Sequence, residues 1–353
     1  MTEKSVTFTD FVYEDLPPPC NKTDVQTLGK RFLPVLYAVV SIVGLVGNFL
    51  VVFTIVKGGR QKSITDIFLL NLAVSDLLFV VSLPFWASYL IQGWTLGNMF
   101  CKIISSFYYV GFFGGMFFIT IISIDRYLAI VHATYFIKAR SVSRGCLTSF
   151  VVWTLSVFFS APHFIFTKTS ERKCSSYYPE HLKKIWPVFT YLETNIIGFL
   201  LPICIMGFCY LQIIRTLFSC KNHRKKRAVK LILLVVIVFF LFWTPYHVSL
   251  FLQTLRFYGF FEDCDFLRLL DYLLQVTESL AFSHCCLNPI IYTFAGEKFR
   301  KFLSHLVLTC LSFVGFCGPC REYRGRAPCP LPETALSTNQ TQNTSEQDGS
   351  ALL

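Results

Sequence analysis

Charged residues are scarce in this chain. Only 15% of its 353 residues are Asp, Glu, Lys or Arg, whereas 54% are hydrophobic. Soluble globular proteins carry about 25% charged residues. The scarcity of charge therefore excludes an ordinary soluble domain and predicts a membrane protein.

Several functional patterns are also missing from the sequence. The sequence has no internal repeat of the kind found in secondary transporters. It also has no filter motif or pore-lining ring of the kind found in channels. Four histidines within or beside the apolar segments form no nucleophile-and-base constellation, so we do not expect an enzyme. They are His132, His163, His247 and His284. The first thirty residues lack the apolar stretch of a cleavable signal sequence, so we expect the first apolar segment to act as a signal anchor.

Seven apolar stretches are each long enough to cross a bilayer, which requires about 20 residues of helix. The predicted spans are Phe32 to Val56, Ile67 to Ile91, Cys101 to Val131, Cys146 to Phe166, Trp186 to Phe218, Val229 to Leu255 and Leu267 to Ala295. They predict an all-α membrane protein built as a seven-helix bundle. We divide the chain into an acidic arm (1–31), the bundle (32–296), a short amphipathic helix (297–308) and a disordered tail (309–353).

Basic residues between the spans predict the orientation, because short cytoplasmic loops retain Lys and Arg. The first, third and fifth connections are basic, and the fifth is the richest, with six such residues between Lys221 and Lys230. The fourth connection, with five between Lys168 and Lys184, runs against the trend. The alternating majority predicts an N-terminus outside the cell. The net charge of +11 then lies mostly at the inner leaflet, where it attracts anionic lipid rather than nucleic acid.

Four of the 14 cysteines fall at positions predicted to lie outside, where disulfides form. Pairing Cys101 with Cys174 would tie the third span to the loop after the fourth, and pairing Cys20 with Cys264 would tie the N-terminal arm to the loop before the seventh. Four cysteines allow three connectivities, and the sequence does not choose among them. We expect the cysteines inside the spans to be small buried hydrophobes: Cys146, Cys204, Cys209, Cys285 and Cys286. In the tail, Cys317 and Cys320 lack the second pair of a zinc site, and with Cys310 they are candidates for palmitoylation.

Polar residues inside the spans indicate functional positions, because each is unfavourable in lipid unless it faces water or a partner. Asp125 and Arg126 stand at the end of the third span, in the string Asp125-Arg126-Tyr127-Leu128-Ala129-Ile130-Val131. A snorkelling pair at the lipid boundary would explain one arginine there, but not the whole string. Asn48, Asp76 and Asn288 add amide and carboxylate groups to three other spans.

These residues resemble the chemokine receptors of the rhodopsin-like (class A) G-protein-coupled receptors. The resemblance extends from Cys20 to about Phe302. It rests on the string at Asp125, on Phe242-Trp243-Thr244-Pro245-Tyr246, and on His284-Cys285-Cys286-Leu287-Asn288-Pro289. Four stretches point to one receptor type within the group: Phe11 to Leu16, Phe218 to His223, Leu231 to Tyr246 and Ala295 to Arg300.

The resemblance implies a receptor at the plasma membrane that binds a basic chemokine protein outside and activates a heterotrimeric G protein of inhibitory type inside, driving leukocyte chemotaxis and adhesion. The implied switch residues are Asp125, Arg126, Tyr127, Tyr210, Trp243, Pro245, Asn288, Pro289 and Tyr292. Arrestin and receptor kinases are expected partners of the Ser/Thr-rich tail. A CC-type receptor and a non-signalling scavenger remain alternatives, although the intact Asp125, Arg126 and Tyr127 favour signalling.

Ligand binding is expected at two levels outside the membrane. Tyr13, Glu14 and Asp15 lie on the acidic arm, where carboxylates attract a cationic ligand and where we expect sulfation of Tyr13. Glu278 would receive the chemokine's N-terminal amine within an aromatic pocket, which the resemblance assigns to Tyr37, Trp86, Tyr108 and Tyr246. The alternative is that Glu278 is a structural partner of a buried hydroxyl. Asn21 begins a glycosylation sequon.

No cofactor is expected, apart from an allosteric sodium ion at Asp76. This site departs from the pattern of the wider family, because Gly115 and His284 stand where other members often place hydroxyl or amide ligands. We therefore predict Asp76 alone as a sodium ligand.

Overall fold

The computed structural model describes residues 23–57, 63–133, 141–183, 185–218, 223–261 and 263–295. Within them the helices are α1 (Thr23–Lys57), α2 (Ile64–Gln92), α3 (Gly97–Val131), α4 (Val142–Phe166), α5 (Trp186–Phe218), α6 (His223–Phe257), α7 (Cys264–Phe282) and α8 (His284–Ala295). A hairpin of β1 (Thr167–Ser170) and β2 (Lys173–Ser176) follows α4, and a short 3₁₀ turn spans Glu180–Leu182.

Local polar residues fix where several helices begin. Ser63 accepts a hydrogen bond from the Asp66 amide, while the Asp66 carboxylate accepts one from the Ser63 amide, which forms a capping box before α2. Ser141 caps α4 and Asp263 caps α7 in the same way with one bond each. These caps satisfy amide groups that a helix leaves without an internal partner.

The helices form a bundle around α3. This helix packs against α2, α4 and α5, while α1 packs against α2, α7 and α8, and α6 packs against α5 and α7. The centre is aromatic and aliphatic, with Phe79, Phe113 and Trp243 almost completely buried. Large apolar side chains also cover the outside, for example Phe150 at 70% exposure. An apolar exterior requires an apolar solvent, so the described chain is a helical membrane bundle.

Helix α5 contains one π-helical stretch, Ile196–Leu200, between the α-helical segments Trp186–Asn195 and Leu201–Phe218. Gly198 lies in this stretch, where a Cβ atom would come within 2.7 Å of the Phe112 ring. The glycine therefore permits close packing of α5 on α3. Single π turns inside helices are frequent at functional sites.

The two ends of the bundle carry different features. At one end, Cys101 of α3 is bonded to Cys174 of β2, and we call this the disulfide end. At the other end lie Asp125 and Arg126, and we call this the arginine end.

The predicted helical spans are confirmed where the structure tests them. Six helices between residues 29 and 257 are long and apolar enough to cross a membrane. The seventh predicted span corresponds to α7 and α8, which are separated by Ser283. Helix α1 begins at Thr23, nine residues before the predicted span.

Two details of the sequence prediction need correction. The chain is not purely helical, because β1 pairs with β2 in an antiparallel hairpin from Thr167 opposite Ser176 to Ser170 opposite Lys173. Four-residue strands without clear alternation leave no usable period in the sequence. Among the cysteines expected to be buried, Cys146 and Cys204 are exposed, because a cysteine on an apolar outer face is as compatible with lipid as one in the core.

Several predictions lie outside the described residues. They concern Tyr13, Glu14, Asp15, Cys20 and Asn21, the amphipathic helix at 297–308 and the tail at 309–353. Tyr292 belongs to α8, but its side chain is not described.

Candidate functional site

A cavity of about 280 Å³ opens at the disulfide end. The structure brings four of the predicted ligand-binding residues to its wall: Tyr37, Trp86, Tyr108 and Glu278. The hairpin contributes Thr167, Cys174, Ser175 and Ser176, so the disulfide holds one wall in place. Tyr89, Tyr109 and Phe282 also line the cavity, although sequence reasoning did not identify them.

Glu278 of α7 is the one carboxylate among the cavity's lining residues. The Tyr108 hydroxyl donates a hydrogen bond to Glu278 Oε1 across 3.2 Å. Tyr108 is held by Phe79 and Phe282, with ring centroids 5.0 and 5.6 Å away. A carboxylate among aromatic rings provides ion pairing and cation–π attraction for a primary ammonium group.

Trp86 connects the cavity to the disulfide. Its ring lies 6.0 Å from Tyr89 and 5.9 Å from Trp94. Trp94 is buried against Cys101 and Cys174, and its Nε1 donates to Gly97 O at 2.8 Å. The cavity wall and the disulfide are therefore parts of one packed cluster.

The predicted pocket residue Tyr246 does not line this cavity. It is buried in the aromatic core, with its ring 6.0 Å from Trp243 and 5.2 Å from His247. Trp243 in turn lies 5.0 Å from Phe112 and 4.9 Å from His284. Tyr246 thus belongs to the aromatic cluster around Trp243, and Pro245 beside it lies inside α6.

A buried polar cluster surrounds Asp76 in the middle of the bundle. Asn288 Nδ2 donates to Asp76 Oδ2 across 2.7 Å, and the Cys285 thiol donates to Asp76 Oδ1 across 3.9 Å. His284 Nε2 lies 3.8 Å from the same oxygen. Asn48 Nδ2 donates to the carbonyl oxygens of Gly44 and Cys285, both at 3.0 Å. Three predicted polar positions, far apart in the chain, therefore meet at one place.

At the arginine end, Asp125 and Arg126 both contact Thr65. Thr65 Oγ1 donates to Asp125 Oδ2 at 3.1 Å and accepts from Arg126 Nη2 at 2.5 Å. The direct distance from Arg126 Nη2 to Asp125 Oδ2 is 3.7 Å. The Asp125 side chain is buried, whereas that of Arg126 is 25% exposed. The threonine hydroxyl therefore bridges the pair, and the arginine retains access to the surface.

The next residues complete this end. The hydroxyl of Tyr127 is hydrogen-bonded to His132 Nε2 at 3.0 Å, and its ring lies 5.7 Å from Phe208 of α5. Tyr210 of α5 is buried and close enough to Arg126 for an electrostatic interaction. The predicted switch residues of α3 and α5 are thus neighbours.

Comparison with known proteins gives a consistent assignment. The family profile "7 transmembrane receptor (rhodopsin family)" matches residues 47–292. CX3C chemokine receptor 1 of Homo sapiens is 52% identical over 98% of this chain and 97% of its own length, and that of Bos taurus is 50% identical over the same shares. C-C chemokine receptor type 4 of Homo sapiens is 46% identical over 98% and 96%.

The chain belongs to the chemokine receptors of the rhodopsin family. It is a receptor rather than an enzyme, and it is a multi-pass protein of the plasma membrane. The four stretches that pointed to one type within the group resemble the fractalkine receptor, which agrees with its likeness to the CX3C receptors.

The second predicted disulfide of the receptor is only partly described. Cys264 is disulfide-bonded, whereas Cys20, its predicted partner, lies outside the described residues. That pairing stays a prediction.

The donors around Asp76 suit sodium poorly. Sodium is a hard cation of the kind that prefers oxygen ligands. The neighbours of Asp76 Oδ1 are the His284 nitrogen and the Cys285 sulfur. Gly115 supplies no ligand, although a Cβ atom added there would lie 3.9 Å from that oxygen. The sodium prediction thus stays untested, and the residues present do not favour it.

Proposed function

We propose that the receptor binds a CX3C chemokine, fractalkine, at its disulfide end and activates a G protein of inhibitory type at its arginine end. The disulfide end then faces the cell exterior, in agreement with the basic first, third and fifth connections. Activation drives leukocyte chemotaxis and adhesion. The observation that carries the proposal is the 50–52% identity to CX3C receptors over almost the whole chain.

A CC-type chemokine is the second candidate ligand, because the identity to C-C chemokine receptor type 4 is only a few per cent lower, at 46%. Both ligand classes require the same chemistry of the receptor. A cationic protein approaches the acidic arm with Glu14, Asp15 and a sulfated Tyr13, and long-range attraction accelerates this encounter. Glycosylation of Asn21 belongs to the same outer segment.

The chemokine's N-terminal amine then enters the cavity and pairs with the Glu278 carboxylate. Tyr108 supports this role, because its hydrogen bond holds Glu278 in place. Tyr37 and Trp86 line the same cavity and exclude water from the ion pair.

Activation requires that the ligand bind an open arrangement more tightly than the described one. The Asp125–Arg126 pair bridged by Thr65 favours the closed arrangement. Opening releases Arg126 for the G protein as α6 moves about Pro245. The other switch positions are Trp243, Tyr210, Asn288, Pro289 and Tyr292. Receptor kinases then phosphorylate the tail, and arrestin binds it.

A chemokine panel on cells tests the proposal. Cells that express the receptor are exposed to fractalkine and to a set of CC chemokines, and both inhibition of cyclic AMP formation and internalisation of ligand are measured. We expect fractalkine to inhibit cyclic AMP formation, and Arg126→Asn to abolish this response while ligand binding persists. Internalisation without any change in cyclic AMP would instead indicate a scavenger. A response to CC chemokines alone would show that the ligand is a CC chemokine and not fractalkine.

A further inference from the structure

Three different metal-binding groups converge in the centre of the bundle. The distances are 3.8 Å from His284 Nε2 to Asp76 Oδ1, 3.9 Å from Cys285 Sγ to Asp76 Oδ1, and 3.5 Å from Cys285 Sγ to His284 Nε2. All three residues are buried. Asp76 belongs to α2 and the other two begin α8, so a ligand at this point would join two helices.

The triangle formed by these atoms has the size of a tetrahedral zinc site. Zinc binds nitrogen and oxygen at about 2.0–2.2 Å and sulfur at about 2.3 Å, so that two ligands of one tetrahedral ion lie roughly 3.3–3.7 Å apart. The three observed distances are within a few tenths of an ångström of this range. Cys285 Sγ lies 3.5 Å from Nε2 and 3.7 Å from Nδ1 of His284, so the sulfur must turn away from the imidazole ring to share an ion bound at Nε2, with water as the fourth ligand.

Hydrogen bonds to outer groups orient two of the three ligands. His284 Nδ1 donates to the Ala281 carbonyl oxygen at 2.5 Å, because a carbonyl can only accept. In the neutral ring, Nε2 therefore carries a lone pair on the side of Asp76. Asp76 Oδ2 accepts from Asn288 at 2.7 Å, which leaves Oδ1 for a cation. A histidine that donates its second ring N–H to a carbonyl and a carboxylate held by a hydrogen bond are usual in zinc sites.

Charge balance also favours a divalent ion here. Zinc binding displaces the Cys285 thiol proton, which leaves to solvent, so that the thiolate and the Asp76 carboxylate together neutralise the ion. A neutral ion–ligand group is tolerated in a buried, low-dielectric place, whereas an unbalanced charge is not. Imidazole and thiolate are ligands that select zinc-like ions over sodium.

We propose that Asp76, His284 and Cys285 form a binding site for Zn²⁺ or a similarly soft divalent cation, in place of a sodium site. The bound ion ties α2 to the start of α8 beside Trp243, whose ring lies 4.9 Å from His284. Occupancy stabilises the described arrangement of these helices. This inference does not depend on which chemokine the receptor binds.

Thermal unfolding of the purified full-length receptor tests the site. The background carries Cys317→Ser and Cys320→Ser, so that the C-x-x-C of the tail cannot bind zinc. After treatment with a chelator, the unfolding temperature is measured with zinc chloride and with sodium chloride, using choline chloride to match ionic strength. We expect a rise that saturates with zinc and no comparable rise with sodium.

Variants of adjacent cysteines provide a matched comparison. Cys286 is not part of the cluster, and its Sγ contacts the Val40 carbonyl oxygen at 3.6 Å. Cys286→Ser should therefore keep the zinc response, whereas Cys285→Ser should lose it. His284→Asn should weaken zinc binding by at least the roughly 10–100-fold that loss of an outer-shell partner produces. If Cys285→Ser does not fold, the loss or retention of the zinc response in His284→Asn tests the site.

Cobalt supplies an independent spectroscopic readout. Co²⁺ bound to a thiolate gives a charge-transfer absorption, which we expect in the Cys286→Ser receptor and not in the Cys285→Ser receptor. The proposal is wrong if zinc leaves the unfolding temperature unchanged, if Cys285→Ser responds like its parent, or if sodium stabilises the receptor as much as zinc does.

Discussion

Thr65 donates a hydrogen bond from Oγ1 to Asp125 Oδ2 across 3.1 Å, which joins the first turn of α2 to the end of α3. The same hydroxyl oxygen accepts a hydrogen bond from Arg126. A single threonine therefore contacts both members of this acid–base pair, and in the proposed function it would favour the closed arrangement of the arginine end.

Thr65→Ala should raise ligand-independent signalling. A hydrogen bond to a charged group contributes about 1.5–3 kcal/mol, and each 1.4 kcal/mol changes a population ratio about tenfold. We expect basal nucleotide exchange on the G protein to rise by roughly that factor of ten, as measured in membranes at equal receptor density. Thr65→Ser keeps the hydroxyl and should behave like the parent. Equal basal exchange in the alanine and serine variants would contradict the bridging role.

Glu278→Gln should impair signalling more than affinity. The substitution removes the negative charge that we propose pairs with the ligand amine, while the acidic arm would still attract the ligand to the receptor. We expect chemokine potency in a cyclic AMP assay to fall about tenfold, equivalent to about 1.4 kcal/mol, with a smaller change in binding of labelled ligand.

Glu180→Gln is the control for this charge change. Glu180 is exposed and paired with Lys183, and it does not line the cavity. Its substitution should leave potency unchanged. Equal losses in the two variants would assign the effect to net charge rather than to the cavity, and Tyr108→Phe should reproduce part of the Glu278 effect because the phenol donor is lost.

The sequence predicted the spans well because a long apolar stretch is by itself the signal of a membrane-spanning helix. The second span, for example, was expected from Ile67 to Ile91, and the helix runs over Ile64–Gln92. It predicted Glu278, Tyr108 and Trp86 through the family pattern, and the structure places them on one cavity. It did not identify Thr65, because a threonine at the start of a helix contacts Asp125 and Arg126 only when α3 packs beside it.

Cys285 shows a different limit of sequence reasoning. Within the apolar α8 a cysteine has the pattern of a small buried hydrophobe, and nothing nearby in the sequence suggests a ligand. Its carboxylate neighbour, Asp76, lies 209 residues earlier in the chain. Only the packing of α8 against α2 brings the two groups together.

The turn of the hairpin should be open to stabilisation. Glu171 and Arg172 both have positive φ, at 47° and 61°, although two-residue turns of this kind prefer Asn-Gly. A left-handed conformation costs a residue other than glycine roughly 1–2 kcal/mol.

Glu171→Asn combined with Arg172→Gly should therefore raise the free energy of unfolding by about 1–2 kcal/mol, seen as a higher unfolding temperature of the purified receptor. The backbone bond from Trp94 N to Arg172 O, 2.7 Å long, survives the change. Arg172→Val should have the opposite effect, because a β-branched residue tolerates positive φ least. A double variant no more stable than its parent would show that the turn is not strained.

Gly115→Ser should convert the centre of the bundle into a sodium site when it is combined with His284→Asn and Cys285→Ser. A Cβ atom at Gly115 would lie 3.7 Å from Ser75 Oγ and 3.9 Å from Asp76 Oδ1. These are ordinary van der Waals distances, so serine fits and supplies an oxygen beside the carboxylate. The asparagine and serine replace nitrogen and sulfur donors by oxygens, which a hard cation prefers. We expect the unfolding temperature of this triple variant to rise in sodium chloride relative to choline chloride, and its response to zinc to disappear.

Gly207→Ser provides a control for the added hydroxyl. A Cβ atom at this position has no neighbour within 4 Å, so the substitution should confer no response to sodium. A triple variant that folds but does not distinguish sodium from choline would show that donor chemistry at these three positions does not determine which cation binds Asp76.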